Sequence, residues 1–339
     1  MKIYITGNSS ISAQPSFEGN FETPTIYSNN RLNSIEPDYK TLIEPKLVRR
    51  MSRIMKMSFV TALSALKQAN SPFIDAIITG TGYGCLEDTG SFLTKMSDPN
   101  NRLMNPTSFI QSTHNTVGSH IALHLNHKGY NNTFVHSGFS FENALDDALL
   151  LMKNNEAQNV LLGGFDELTN DLFTILYRLH AIRKKHVRNI DIFKESDKGY
   201  IPGEGATFFV LSNQKKSTQS VEIVNHKTLY NPSESYLKEL LNNYNNPSKN
   251  TLFIIGKNGN STTDQSYKWF EEIILQNKIC YYKHLCGEYP TSSAFGLWLA
   301  TELLLKKENI FQINNPADEI IIYNCWNKDY HSFIQLQKC

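Results

Sequence analysis

Apolar and polar positions fall into short β-branched runs that alternate with helical patterns, which predicts βα layering over a largely parallel sheet. Three such runs are Asp75-Ala76-Ile77-Ile78-Thr79, Asn159-Val160-Leu161-Leu162-Gly163-Gly164 and Ala206-Thr207-Phe208-Phe209-Val210-Leu211. From Ser212 to Ser220 the chain turns polar and loses periodicity, so a boundary between two halves, residues 1–215 and 216–339, is placed there. The second half starts over with Ser220-Val221-Glu222-Ile223-Val224. It continues through Leu252-Phe253-Ile254-Ile255 and a helix from Ala294 to Leu305, and reaches Glu319-Ile320-Ile321-Ile322-Tyr323. Asn242-Asn243-Tyr244-Asn245-Asn246 reads as surface loop.

Composition narrows the classes. With 339 residues, 40% hydrophobic and 19% charged, the chain is expected to be an ordinary globular protein. A formal net charge of +1 gives no reason to expect nucleic acid or a membrane surface as a partner. No apolar stretch approaches the ~18 residues that span a bilayer. Cys85, Cys280, Cys286, Cys325 and Cys339 are scattered without a C-x-x-C pair, so neither a disulfide framework nor a metal site is expected, and no cofactor is implied. The opening Met1-Lys2-Ile3-Tyr4-Ile5-Thr6-Gly7 is too short for a signal-peptide core, and a cytoplasmic, reduced location is the expectation.

Several local patterns carry chemistry only in part. Gly80-Thr81-Gly82-Tyr83-Gly84-Cys85 follows a strand, but the third glycine of a dinucleotide fingerprint is Cys85, so a tight strand-to-helix turn is expected. Gly138-Phe139-Ser140-Phe141-Glu142 sits where a hydrolase places its nucleophile elbow, with Glu142 in place of the second glycine. His114, His120, His124 and His136 are expected to be core or surface histidines. Arg178, His180, Arg183, Lys184, Lys185, His186 and Arg188 form a basic cluster. It reads first as a solvated loop and alternatively as a dock for an acidic carrier protein.

A series of segments, in order, carries a family resemblance. They are Met1–Gly7, Arg49-Arg50-Met51-Ser52-Arg53, Thr81–Thr89, the stretch from Asn105-Pro106 to Val117-Gly118, Gly163-Gly164-Phe165-Asp166-Glu167 and Gly199-Tyr200-Ile201-Pro202-Gly203-Glu204-Gly205-Ala206. Together they resemble the β-ketoacyl synthase family of the thiolase-like superfamily over most of the chain. The resemblance implies an α/β fold with a five-layer αβαβα core made of two similar halves, the second of them shortened. The shortening leads us to expect missing helical cover there and an exposed apolar patch.

Such enzymes use a cysteine at a helix N-terminus, two histidines and an oxyanion hole. Counting back from Gly163-Gly164 puts Gly138 in the cysteine slot, and a one-residue slip puts Ser137 there. The first histidine's motif matches Asn258-Gly259-Asn260-Ser261-Thr262, with Asn258 in its place; the second matches Lys283-His284-Leu285-Cys286-Gly287-Glu288, with Lys283 kept and Glu288 for histidine. The gating loop corresponds to Trp326-Asn327-Lys328-Asp329-Tyr330.

Within the family the chain looks like a chain-length factor, the inactive subunit that pairs with a cysteine-bearing ketosynthase and so meets its acyl carrier protein indirectly. It is most similar to the aryl polyene or flexirubin pigment group. The resemblance implies that Phe109, Gln111, Thr113, His114, Asn115, Phe134 and His136 belong to the interface or acyl tunnel; Phe139 and Phe141, which flank the Gly138 slot, read either as a plug or tunnel cap or as core packing. Two other readings stay open: a repurposed acyl hydrolase or transferase using Ser137, Ser140 or Cys286 with Glu288 as base, and a homodimeric acyl-binding scaffold.

Overall fold

In the computed structural model, residues 1–17, 23–71, 73–98, 106–194, 197–216, 220–244, 249–305 and 317–339 are described. Asn105, Asn245 and Asn246, named above, lie outside them. The strands are β1 (Tyr4–Ile11), β2 (Ala76–Gly80), β3 (Tyr130–Phe134), β4 (Asn159–Asp166), β5 (Gly205–Ser212), β6 (Val221–Tyr230), β7 (Thr251–Ile255), β8 (Ile279–Tyr281), β9 (Glu319–Trp326) and β10 (Tyr330–Lys338). The helices of the first half are α1 (Tyr39–Leu42), α2 (Pro45–Val48), α3 (Arg53–Ala69), α4 (Leu86–Ser97), α5 (Pro106–Gln111), α6 (Thr116–His124), α7 (Ser140–Lys153) and α8 (Asn170–Arg178). Those of the second are α9 (Glu234–Tyr244), α10 (Lys268–Ile273), α11 (Lys283–Cys286) and α12 (Ser292–Leu305).

Strand order is β3-β2-β4-β5-β1 in the first half and β8-β7-β9-β10-β6 in the second, the same order twice. The halves join where Tyr4 and Ile5 of β1 pair with Glu222 and Val221 of β6. Each half is mixed, which corrects the expectation of a largely parallel sheet. β2 runs parallel to β3 and β4, and β7 to β8 and β9, while β5 and β10 return antiparallel. For β10 the reason is local: only Asn327, Lys328 and Asp329 separate it from β9, too few for the crossover a parallel neighbour needs.

Three apolar cores define the layers. The central one takes Phe141, Leu145 and Leu149 of α7 and Phe295, Trp298 and Leu299 of α12, together with strand residues from both halves. Apolar side chains circle α12, and nearly all of its residues are buried, as befits a helix between two sheets. An outer core packs α3 and α6 on the first sheet, and another packs α9 and α10 on the second. The chain is therefore a thiolase-like αβαβα fold.

Exposed apolar side chains occur in the shortened half, at Val224, Tyr230 and Leu275 among others, and in larger number in the first half. Leu93 and Met96 of α4, Phe109 and Ile110 of α5, Leu123 of α6, Tyr130 of β3, and Ile175 and Tyr177 of α8 are all solvent-exposed. These belong to the first half, because α9 and α10 suffice to cover the second sheet whereas α4 and α8 bury no residue. Among the described residues no helix is long and apolar enough to cross a membrane.

Candidate functional site

β3 ends at Phe134, and the chain turns into α7 through His136 and Ser137, whose φ is +48°. Left-handed backbone at this strand-to-helix turn is the geometry of a nucleophile elbow. Ser140 completes the turn by accepting the His136 N–H at 2.8 Å and donating to the Ser137 carbonyl at 2.7 Å. Its hydroxyl is thus committed to structure. The close approach of α7 to the sheet is provided by Gly80, where a β-carbon would lie 2.4 Å from the Ser140 carbonyl oxygen. Glu142, which replaces the elbow's expected second glycine, is instead fully buried, with Ser332 donating to it at 3.2 Å.

Gly138 follows Ser137 and is buried. A β-carbon on it would lie 1.9 Å from Cδ2 and 2.2 Å from Cγ of Trp326. The indole fills the space a side chain at 138 would use. Trp326 is held there at the end of β9, before a turn with left-handed Asn327 (φ +49°) and Lys328 (φ +67°). A cavity of about 310 Å³ opens beside it, lined by His136, Ser137, Phe139, Trp326, Asn327 and Tyr330.

The other degenerate positions converge next to this slot. Lys283 Nζ donates to both oxygens of Glu288, at 2.9 and 2.8 Å, and Asn258 Nδ2 donates to Glu288 Oε2 at 2.6 Å. Lys283 and Glu288 are buried, and Lys283 Nζ also lies 5.9 Å from the Trp326 ring centroid. An amide and an ammonium fixed on one carboxylate form a closed charge network, with no imidazole to move a proton. Asp264 accepts from the Asn258 and Gly259 N–H groups at 3.1 and 3.0 Å, and burial pushes its carboxyl up to about 6.

The segments that carried the resemblance are the scaffold of this region. Asp166 Oδ1 accepts from Thr81 Oγ1, Gly82 N and Tyr83 N, and Oδ2 from Thr291 N and Oγ1, all within 3.0 Å. Glu204 receives both Arg53 Nη groups at 2.6 Å, and Leu168 N at 2.9 Å. At Gly203 a β-carbon would strike the Cys286 carbonyl oxygen at 1.9 Å, so the second glycine of that segment lets the two halves touch backbone to backbone.

Among the described residues no hydrogen bond joins an alternative nucleophile to a side-chain base. Cys286 is fully buried, which pushes its thiol well above the ordinary range, and its Sγ lies 3.3 Å from the Gly287 carbonyl oxygen. The Glu288 oxygens are taken by Lys283 and Asn258, with no hydrogen bond to that thiol. Ser137 is exposed on the cavity, and among the described residues its hydroxyl has no hydrogen-bond partner.

The expected interface residues divide between surface and core. Phe109 and His136 are exposed, as are Thr113, His114 and Asn115. Gln111 is half-buried and donates from Nε2 to the Arg50 carbonyl at 2.6 Å, and the His114 ring lies against Gly84. Phe134 packs on the central core, Phe139 lies 5.2 Å from the Tyr330 ring, and Phe141 is buried 6.1 Å from Phe209. In the basic cluster, Arg183 departs from the expected solvated loop. It is buried and donates to the Ile192 and Gly259 carbonyls at 3.1 and 2.8 Å, because its guanidinium can satisfy carbonyls that no backbone N–H reaches. Trp326 was legible only as a bulky residue in the gating loop; its packing against Gly138 joins two distant segments and leaves no local signal.

Residues 13–217 match the family described as the β-ketoacyl synthase N-terminal domain, and the chain belongs to that family. It is similar in fold to three solved structures. One is a type II polyketide synthase acyl carrier protein in complex with its ketosynthase bound to the hexaketide: 16% identity, 99% of each chain, TM-score 0.76. Another is the ishigamide ketosynthase/chain length factor: 14% identity, 99% of this chain and 98% of the other, TM-score 0.76. The third is a ketosynthase in complex with its chain length factor from Xenorhabdus doucetiae: 14% identity, 100% of this chain and 98% of the other, TM-score 0.72. No curated protein matches the sequence significantly.

Proposed function

We propose that this chain is a non-catalytic ketosynthase-like subunit, a chain-length factor. In this role it pairs with a cysteine-bearing β-ketoacyl synthase and shapes the acyl tunnel of the pair in type II polyketide or fatty-acid-like synthesis. The filling of the Gly138 slot by Trp326 carries the reading, because no side chain, thiol or otherwise, fits there without displacing the indole. The Asn258, Lys283 and Glu288 network supports it by occupying the place of the family's proton-transfer groups. Pigment synthesis of the aryl polyene or flexirubin type is the pathway class proposed, with acyl carrier protein met through the active partner.

The interface proposed is the β3 edge with α5 and α6. β3 is the outermost strand of its half, so among the described residues one row of its backbone groups has no strand beside it. Phe109 and Ile110 of α5, Leu123 of α6 and Tyr130 of β3 extend that edge with exposed apolar surface. A permanent complex of this kind buries on the order of 2,000 Å² or more. Co-expression with a ketosynthase from the same organism, followed by native mass measurement, tests the pairing. A stable one-to-one heterodimer is expected. A homodimer that ignores the ketosynthase would overturn the reading.

A further inference from the structure

The cavity beside Trp326 has features that a plugged remnant does not require. On one wall the rings of His136, Phe139 and Tyr330 pack together, with centroids 6.3, 5.4 and 5.2 Å apart, and the Trp326 indole contributes its own wall. Among the lining residues none is an acid, a lysine or an arginine. The polar groups of its lining residues are the His136 ring, the Ser137 hydroxyl, the Asn327 amide, the Tyr330 hydroxyl and the Trp326 indole N–H, and among the described residues the Ser137 hydroxyl and the Asn327 amide have no hydrogen-bond partner. Ser137 and Asn327 are both left-handed, and so is Lys328 beside them. Among the described residues, the other non-glycine residues with positive φ are Asn70, Asn126, Asn155, His180 and Asn231. Asparagine tolerates that region; serine and lysine are held in it only where the surroundings over-determine them. Ser137 lines this cavity, and Lys328 follows the lining residue Asn327 in the chain.

We infer that this cavity binds a small, neutral, planar aromatic molecule with one hydrogen-bonding substituent. Its ring lies against the aromatic walls, and its polar atom meets Ser137 Oγ and the Asn327 amide. The uncharged lining selects against ions, and a volume of about 310 Å³ admits one or two fused rings. Stacking and edge contacts then separate a flat ring from a saturated one of similar outline. The inference goes beyond the subunit reading, since it needs no second chain.

Isothermal titration of the full chain, in whatever assembly it purifies, with 2-naphthol and with decahydro-2-naphthol tests it. One 2-naphthol per chain is expected, with Kd on the order of 0.1 mM, and binding of the saturated analogue at least about tenfold weaker. Tyr330→Leu and His136→Ala are each expected to weaken 2-naphthol at least about fivefold, and Ser137→Ala severalfold. His136 is exposed, so its variant keeps the fold even if Tyr330→Leu does not. Equal binding of the two probes, binding of neither, or affinity unchanged by His136→Ala would each overturn the inference. Any of these leaves the native-mass test of pairing unaffected.

Discussion

At Gly138 even a methyl group would sit 1.9 Å from the indole of Trp326, so one of the two must move. Gly138→Ala is expected to lower stability by about 1–3 kcal/mol in urea unfolding. Combined with Trp326→Ala it should cost less than the sum of the two changes, because the clash has gone; strict additivity would contradict the contact. At the neighbouring ion pair, Lys283→Met leaves Glu288 buried without its cation, an expected loss of about 3–5 kcal/mol. Replacing both residues by Met and Leu should lose much less, and circular dichroism melts compare the two variants directly. Glu167 is buried behind the signature strand, and that burial raises its carboxyl to about 7. Between the unfolded value of 4.5 and about 7 the folded chain binds more protons than the unfolded one, so stability falls as pH rises through that window. Glu167→Gln should remove this slope, gaining on the order of 3 kcal/mol relative to wild type from pH 4.5 to 7.5. A constant difference across denaturation curves at several pH values would refute it.

At the scale of elements, the strands were legible because β-branched runs such as Ala76–Thr79 and Leu252–Ile255 announce buried β structure locally. Strand direction was not, since it depends on what each connection allows: three residues force β9 and β10 antiparallel. Gly138, Asn258 and Glu288 could be picked out as candidate positions from the sequence, yet what packs against them was hidden. Asn258, Lys283 and Glu288 meet only through the fold, as do Gly80 and Ser140. The exposed face of α5 and α6 likewise follows from packing and not from pattern. Phe109→Asp with Leu123→Asp should weaken association with a ketosynthase at least about tenfold while the far-ultraviolet spectrum stays unchanged, because both side chains are already exposed. Unaltered association in analytical ultracentrifugation would exclude this face.

Taken as a molecule, the chain has the family's fold, with Trp326 packed against Gly138 at the candidate site. The central layer draws α7 from one half and α12 from the other, and the glycines at 203 and 287 bring the halves into backbone contact. Trp326 lies against Gly138 and Lys283 pairs with Glu288, and on the proposed reading these positions supply no condensing nucleophile. Chemistry in the proposed pair must then come from the other subunit. The most direct measurement is product formation by the co-purified pair from acyl and malonyl carrier-protein substrates, with the ketosynthase's own cysteine intact and then replaced by alanine. The account predicts product from the first pair and none from the second, although this chain is unchanged in both. Product from the second pair would place condensation in this chain and contradict the account.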